Sequence, residues 1–566
     1  MICSEKFSVW LRNSAAFVVL ALTTAHAVER ACLGAERPNV LVVLADDLGF
    51  SDLGCYGSEI ATPNLDRLAA GGLRYTQFYS TARCWPTRAS LLTGYYAQQV
   101  HRDALPQGLG GSRGQRPAWA QLLPQLLKPQ GYRSYLSGKW HVDGQPTKQG
   151  FDHSYVIDDH DRYHNPTKHS VDDQPLPPVQ PGSDYYETTA IADHAIGCLK
   201  EHAEEHADTP FFHLLAFTAP HFPLHALPED IAKYASRYQV GWDTIRQQRL
   251  ERQHAMKIVD CGLSELEPQI GPPYSFPEAL KQLGAGEVKR ELSWSELTEQ
   301  QRAFQASKMS VHAAMIDRMD QEIGRVLAQL SQMKVIDDTL ILFLSDNGAS
   351  AEIMIRGDGH DPNAAIGSAG SFTCLGPGWS RAGNTPFRRH KTWVHEGGIA
   401  TPLIAHWPHG IDARGELRGR LGHVVDIAPT IVELAGGSWP ETFDGVKIPR
   451  SPGESLLASF RDLEALRAEP LWWLHEGNRA LRDGPWKVVA AKDEEWQLYN
   501  LSTDRSEIRD LAAKQPDVLQ RLTSQWDAVT QQIAQDHKAD EAKNPPAKKP
   551  RQPAKRTGET KNSPKG

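Results

Sequence analysis

The chain has 566 residues, length enough for a large apolar core and for more than one domain. Its 40% hydrophobic and 23% charged composition is that of a soluble globular protein, and a formal net charge of -8 argues against a general nucleic-acid binder. Seven widely scattered cysteines lack zinc-ligand spacing and are too few for a dense disulfide scaffold.

At the N-terminus, Lys6 and Arg12 precede an apolar run over 15–22 and the small-residue step Ala25-His26-Ala27. That order predicts a secretory signal peptide over 1–27, and hence a secreted or periplasmic protein. The run is too short for an ordinary membrane span and no comparable stretch follows, so no integral membrane segment is expected after cleavage. Val40-Leu41-Val42-Val43-Leu44-Ala45 then reads as a strand buried on both faces of a parallel sheet. It stops at Asp46-Asp47, two adjacent carboxylates that repel each other unless a cation or a cap relieves them. An acidic turn or helix cap would account equally well for the pair taken alone.

The stretch Cys84-Trp85-Pro86-Thr87-Arg88 begins a helix, with Pro86 in its first turn and Gly94 at its end. Cys84 would then sit at a helix N-terminus, where free N–H groups favour negative charge. By itself this could also be a thiol tucked beside a cap. A short strand over 132–136 leads to Gly138-Lys139-Trp140-His141, in which Lys139 and His141 share a face of an extended chain. A helix over 187–205 precedes the apolar run 211–217, which leads into Thr218-Ala219-Pro220-His221. Residues 230–297, rich in proline, read as an inserted excursion. Helical periodicity over 309–333 carries methionines that read as core filling. The run 339–344 ends in Ser345-Asp346-Asn347-Gly348, and a glycine-rich loop over 357–383 precedes Lys391 and Glu396-Gly397-Gly398.

After Gly436-Gly437 the texture changes to short aromatic strands around Trp472, Trp486 and Trp496, followed by a helix over about 516–535. Four domains of the chain follow: the signal segment 1–27, a large α/β domain over 37–437 built on a mostly parallel sheet flanked by helices, a smaller α+β subdomain over 438–536, and a disordered Lys/Pro-rich tail over 537–566.

Four strand ends carry polar groups: Asp46 and Asp47, Lys139 and His141, His221, and Asp346 with Asn347. In open α/β sheets such groups converge on one crevice at the carboxyl edge. The oxygen donors favour calcium or magnesium over zinc, and Arg88, Lys139 and Lys391 can offset the carboxylate charge.

Over roughly 37–500 the chain resembles type I sulfatases of the alkaline-phosphatase-like superfamily. The resemblance rests on C-x-P-x-R followed by Thr-Gly at Cys84–Gly94, on Asp46-Asp47 and Asp346-Asn347, on G-K-W-H at Lys139 and His141, on His221, on Lys391 ahead of E-G-G, and on the closing Glu495-Trp496-Gln497-Leu498-Tyr499. It implies oxidation of Cys84 to formylglycine by a formylglycine-generating enzyme. It also implies one Ca2+ held by Asp46, Asp47, Asp346, Asn347 and the modified Cys84. The implied catalytic set is Cys84, Arg88, Lys139, His141, His221, Lys391 and Asp346, acting on a small-molecule or carbohydrate sulfate ester. Tyr95 departs from the arginine that many members carry after Thr-Gly, which bears on local packing alone. A formylglycine-dependent phosphonate or phosphate ester hydrolase would use the same parts, and a protein that binds sulfated polymer without turnover is a third reading. The segment from Leu224 to Arg252 looks most like bacterial arylsulfatases, so an aryl sulfate is the expected assay substrate; His225, Trp379, Arg381, Arg388 and His390 are the expected walls of the leaving-group pocket.

Overall fold

The computed structural model describes residues 37–543, apart from 107–108, 110–112 and 462–465. The signal segment expected over 1–27 and the tail beyond residue 543 lie outside the described residues. Among the described residues no helix is long and apolar enough to cross a membrane.

Ten of the described strands form one sheet. In chain order they are β1 (Asn39–Ala45), β2 (Leu73–Tyr75), β3 (Arg133–Gly138), β4 (His153–Ile157), β5 (His169–Val171), β6 (Gln174–Pro175), β7 (Phe211–Ala216), β8 (Thr339–Ser345), β9 (Leu403–His406) and β10 (Glu416–Arg418). Across the sheet they lie in the order β10-β2-β9-β8-β1-β7-β3-β4-β5-β6. The central run β8-β1-β7-β3-β4 is parallel throughout, whereas β9 is antiparallel to both its neighbours.

The apolar runs explain why this sheet is covered on both sides. Along β1, Leu41, Val43 and Ala45 enter one core, and Val40, Val42 and Leu44 enter the other. The first core receives α1 (Pro63–Ala70), α3 (Glu187–Glu205) and α4 (Glu299–Gln332), the last of them through Met309, Met315, Met319 and Ile323. The second receives α2 (Cys84–Thr93) and α5 (Ile427–Leu434). The result is a three-layer α/β architecture whose central strands present their carboxyl ends on one edge.

A second, antiparallel sheet of β11 (Leu471–His475), β12 (Asn478–Asp483), β13 (Trp486–Ala490) and β14 (Gln497–Asn500) lies against the first domain. Leu471, Trp473 and Val489 join the core of the large domain, while Trp472, Leu474 and Val488 pack with Leu522 and Trp526 of α6 (Pro516–Lys543). Sequence periodicity ends this helix near residue 535 and assigns 537 onward to the tail; in the structure the helix continues to Lys543. Tertiary contacts extend it: Trp119 Nε1 donates to Asp540 at 3.0 Å, and the His537 ring stacks on His101 at 3.9 Å.

A buried ion network joins the two units. Lys487 Nζ lies 3.0 Å from Glu396 and 2.8 Å from Glu507, and Arg505 reaches Glu396 at 3.2 Å. Removing Lys487 leaves Glu507 without its cation and Glu396 with Arg505 alone, in a place where water does not compensate. Lys487→Met is expected to lower stability by about 3–5 kcal/mol, measured as the shift in denaturant midpoint; a midpoint equal to that of the unaltered chain would contradict this account.

Candidate active site

The side chains singled out at the four strand ends meet at one place, because β8, β1, β7 and β3 are adjacent and parallel. Asp46 and Asp47 follow β1, Asp346 and Asn347 follow β8, Lys139 and His141 follow β3, and His221 closes a turn four residues beyond Phe217. Helix α2 brings Cys84 and Arg88 over this edge; both are buried, as are Lys139, His221 and Lys391.

Arg88 organises the carboxylates. Its Nε donates to Asp346 Oδ2 at 3.0 Å, and its Nη2 lies 2.8 Å from the same oxygen and 3.5 Å from Asp46. Its Nη1 donates to the Lys139 carbonyl at 2.7 Å, tying α2 to the end of β3. Lys139 Nζ donates to Asp46 Oδ2. Lys391 Nζ lies 2.8 Å from Asp47 and 3.0 Å from Glu352, and Asn347 Nδ2 donates to Asp47 Oδ1 at 2.7 Å. Glu352 also pairs with Arg83 at 3.1 Å. Four buried carboxylates thus face four cations.

The titration behaviour follows from that packing. Burial opposes ionisation of Asp46, but Lys139, Arg88 and Lys391 outweigh it and hold the carboxyl below its usual range. Burial, with Asp46 close by, pushes Asp346 up to about 7, and burial raises Asp47 against the pull of Lys391. Burial is likewise overcome at Glu352, which Lys391 and Arg83 pull down to about 2. His141 and His221 are driven well below the ordinary histidine value by burial and by Lys139, so both are neutral. His221 Nδ1 donates to the Phe222 carbonyl at 2.5 Å, leaving Nε2 as the lone-pair nitrogen, 3.8 Å from Asp47. Burial also raises the Cys84 thiol, so the helix N-terminus does not make it a thiolate.

Two buried oxygens in this cluster, Asp46 Oδ1 and Asn347 Oδ1, have no hydrogen-bond partner. Orphaned acceptors beside mutually repelling aspartates are the donor set a hard divalent cation takes. Ligand atoms of Asp46, Asp47 and His221 also lie within 4.8 Å of one another. The residues present therefore fit a bound divalent ion.

Two groups in the site escaped sequence reasoning. Glu352, which pairs with both Lys391 and Arg83, follows no strand and carries no motif. His160 lies in the turn after β4, its ring 5.8 Å from His141 and 5.3 Å from His221. Its signal was present: Tyr155-Val156-Ile157 followed by Asp158-Asp159-His160 repeats the pattern of an apolar strand ending in polar groups.

The predicted pocket walls are elsewhere. Trp379 is fully buried and donates to the Gln305 carbonyl at 2.7 Å, and His225 is bound to the Ser371 carbonyl. His390 contacts Glu291 and Ser380, Arg381 lies 3.4 Å from Glu291, and Arg388 pairs with Glu267 at 2.7 Å. All five are tied to internal partners, although His225 Nδ1 and Arg381 Nε make no hydrogen bond. The excursion instead reaches the site through Tyr274, whose ring lies 5.2 Å from the Arg83 guanidinium.

A parallel sheet between helices with charged groups at its carboxyl edge defines the class, an α/β protein whose ligand crevice lies at that edge. The chain belongs to the sulfatase family, whose model matches residues 38–438; a second model, N-sulphoglucosamine sulphohydrolase C-terminal, matches 388–533. An uncharacterized sulfatase of Schizosaccharomyces pombe is 33% identical over 538 residues, covering 87% of this chain and 93% of that one. The arylsulfatase of Klebsiella aerogenes is 31% identical over 75% of this chain and 91% of its own length. Among solved structures, a protein in complex with its substrate D-glucosamine-2-N,6-O-disulfate shares the fold, with a TM-score of 0.58, 20% identity, and coverage of 89% of this chain and 99% of that one.

In a preparation whose Cys84 remains a thiol, burial and the raised pKa predict slow alkylation. Iodoacetamide is expected to label Cys84 at least ~10-fold more slowly in the folded chain than after unfolding, read by peptide mass spectrometry; equal rates would mean an open, ionised thiol.

Proposed function

We propose that this chain hydrolyses organic sulfate esters to an alcohol and inorganic sulfate, using a formylglycine formed from Cys84 and one Ca2+ held by Asp46, Asp47, Asp346, Asn347 and the modified residue. The observation that carries the reading is the pair of orphaned oxygens, Asp46 Oδ1 and Asn347 Oδ1, inside a cluster where carboxylates and cations already balance. A divalent ion added there makes the crevice net positive, which suits an anionic sulfuryl group. The ion supplies fixed charge that polarises the bound sulfuryl group and acidifies a neighbouring hydroxyl. The formylglycine supplies a hydrated aldehyde, whose second hydroxyl gives a route back to the aldehyde that serine lacks.

Around that group the side chains divide the remaining work. Asp346 is the acceptor for the proton released as the nucleophile attacks sulfur. Lys139, Lys391 and His221 face the sulfuryl oxygens and stabilise charge as it shifts toward the leaving oxygen. The neutral His221 would take a proton from solvent at Nε2 as the anionic substrate enters, and deliver it to the departing alcohol oxygen with Lys391 beside it. His141, neutral and with Nδ1 unpartnered, accepts the proton from the second hydroxyl. Arg88 orients the modified residue and offsets Asp46 and Asp346.

The remaining expectations belong to the same proposal: export after cleavage of the N-terminal segment, modification by a formylglycine-generating enzyme, and an aryl sulfate as assay substrate. Relatives named for arylsulfatase and for N-acetylgalactosamine-6-sulfatase support both aryl and carbohydrate esters as substrates to screen.

Peptide mass spectrometry of protein from its natural host is expected to find Cys84 with CH2–SH replaced by CHO. An unmodified thiol there would leave the proposed reaction without its nucleophile. Cys84→Ala is expected to lower kcat/KM on an aryl sulfate by about a thousandfold or more. Calorimetric titration of metal-free protein is expected to show one Ca2+ site that Asn347→Leu weakens at least ~10-fold; identical binding by the variant would place the ion elsewhere. Finally, kcat/KM on an aryl sulfate is expected to exceed that on the matching phosphate diester, and the reverse order would favour the phosphohydrolase reading.

A further inference from the structure

The carboxyl edge continues past the four strand ends already described. Strand β4 pairs with β3 in parallel, so its exit turn delivers His160 to the same crevice. His160 is half-buried and stands between the rings of His141 and His221, at 5.8 and 5.3 Å. Beyond His221, the Phe222 ring stacks on the imidazole at 4.1 Å and carries a cation on either account: Lys391 Nζ at 5.4 Å and the Arg356 guanidinium at 5.2 Å from its centroid. Lys391 is buried among carboxylates, whereas the Arg356 side chain is 41% exposed. Arg356 is therefore the outer of the two cations. Its nearest carboxylate among the described residues is Asp161 at 3.8 Å, too far for a hydrogen bond.

At the other end of the row, Trp85 lies 6.0 Å from His141, and the Arg113 guanidinium lies 4.8 Å from the Trp85 ring. Arg113 is exposed, and among the described residues no carboxylate is within salt-bridge distance of it. Arg113, with no carboxylate within salt-bridge distance among the described residues, and Arg356, whose Asp161 neighbour stands at 3.8 Å, thus flank a row of three histidines. Guanidinium forks matched to carboxylate or sulfate oxygens give both charge and direction.

We propose that Arg113, His160 and Arg356 form the leaving-group subsite, and that this subsite selects an alcohol carrying a second anionic group, a carboxylate or a further sulfate. His160 contributes a hydrogen bond to the alcohol portion, and the arginine at the end of the row that the alcohol reaches binds the second anion. The proposal rests on the sulfate-ester reading above, with the inner cations binding the scissile sulfuryl group and the outer ones binding what departs.

The test compares matched substrates with protein whose Cys84 is fully converted. One pair is phenyl sulfate and its carboxyphenyl counterpart, and the other is a monosulfated hexosamine and the disulfated one. The unaltered chain is expected to favour the more anionic member of at least one pair by about tenfold or more in kcat/KM. The pair that responds tells carboxylate from sulfate. Arg356→Ala and Arg113→Ala are expected to shrink that preference, chiefly through KM, and Arg356→Lys to recover part of it. Equal rates on both members of both pairs, or variants that lower both members by one common factor, would overturn the subsite. Sulfate release from none of the four would instead defeat the sulfate-ester reading and take the subsite with it.

Discussion

The structure depends on keeping Asp46, Asp47 and Asp346 together in a buried place. Like charges at this separation cannot all ionise without compensation, and Arg88, Lys139 and Lys391 each answer a different part of the problem. Arg88 bridges β1 and β8 from above, Lys139 reaches across from β3, and Lys391 comes from a distant loop that Glu352 also holds. The incomplete part of the compensation is local. It falls on Asp346, pushed up to about 7, and on the two orphaned oxygens. A site left with that residue of repulsion is built to be finished by a cation.

The loop that carries Lys391 is positioned by backbone contact as much as by charge. Gly348 N donates to the Gly398 carbonyl at 3.1 Å, and a Cβ on Gly348 would sit 1.9 Å from the Gly397 carbonyl oxygen. The glycines after Asn347 and Glu396 are therefore there for close approach of two chain segments. Glu396, at the start of this turn, is in turn fixed by Lys487 and Arg505 from the second unit. The small antiparallel sheet thus reaches the crevice twice, through this network and through His475, whose ring lies 5.4 Å from Trp85.

What could be read beforehand was what periodicity controls. Apolar runs doubly buried in a parallel sheet announce themselves, and the residues just past them share an edge, so the meeting of Asp46, Lys139, His221 and Asp346 is legible in the sequence. His160 was missed because β4 is short and its run of apolar residues too brief to stand out. Glu352 was missed because a loop's path depends on distant packing, which no local pattern encodes. The same limit misplaced Trp379, His225, Arg381, Arg388 and His390. Polar and aromatic residues in and near a glycine-rich stretch suggest a pocket, but the stretch folds inward and each of them contacts an internal partner.

Cys84 is 3% exposed, at the start of α2 and next in the chain to Trp85, whose ring faces His141. Any enzyme that rewrites a side chain must close its own active site around that side chain and several of its neighbours. Here those neighbours are the first turn of α2, whose residues from Pro86 onward are already packed against the sheet. Under the proposed chemistry a modifying enzyme that has to surround this turn would meet it before α2 packs against the sheet, so folding and oxidation of Cys84 would compete for the same residues.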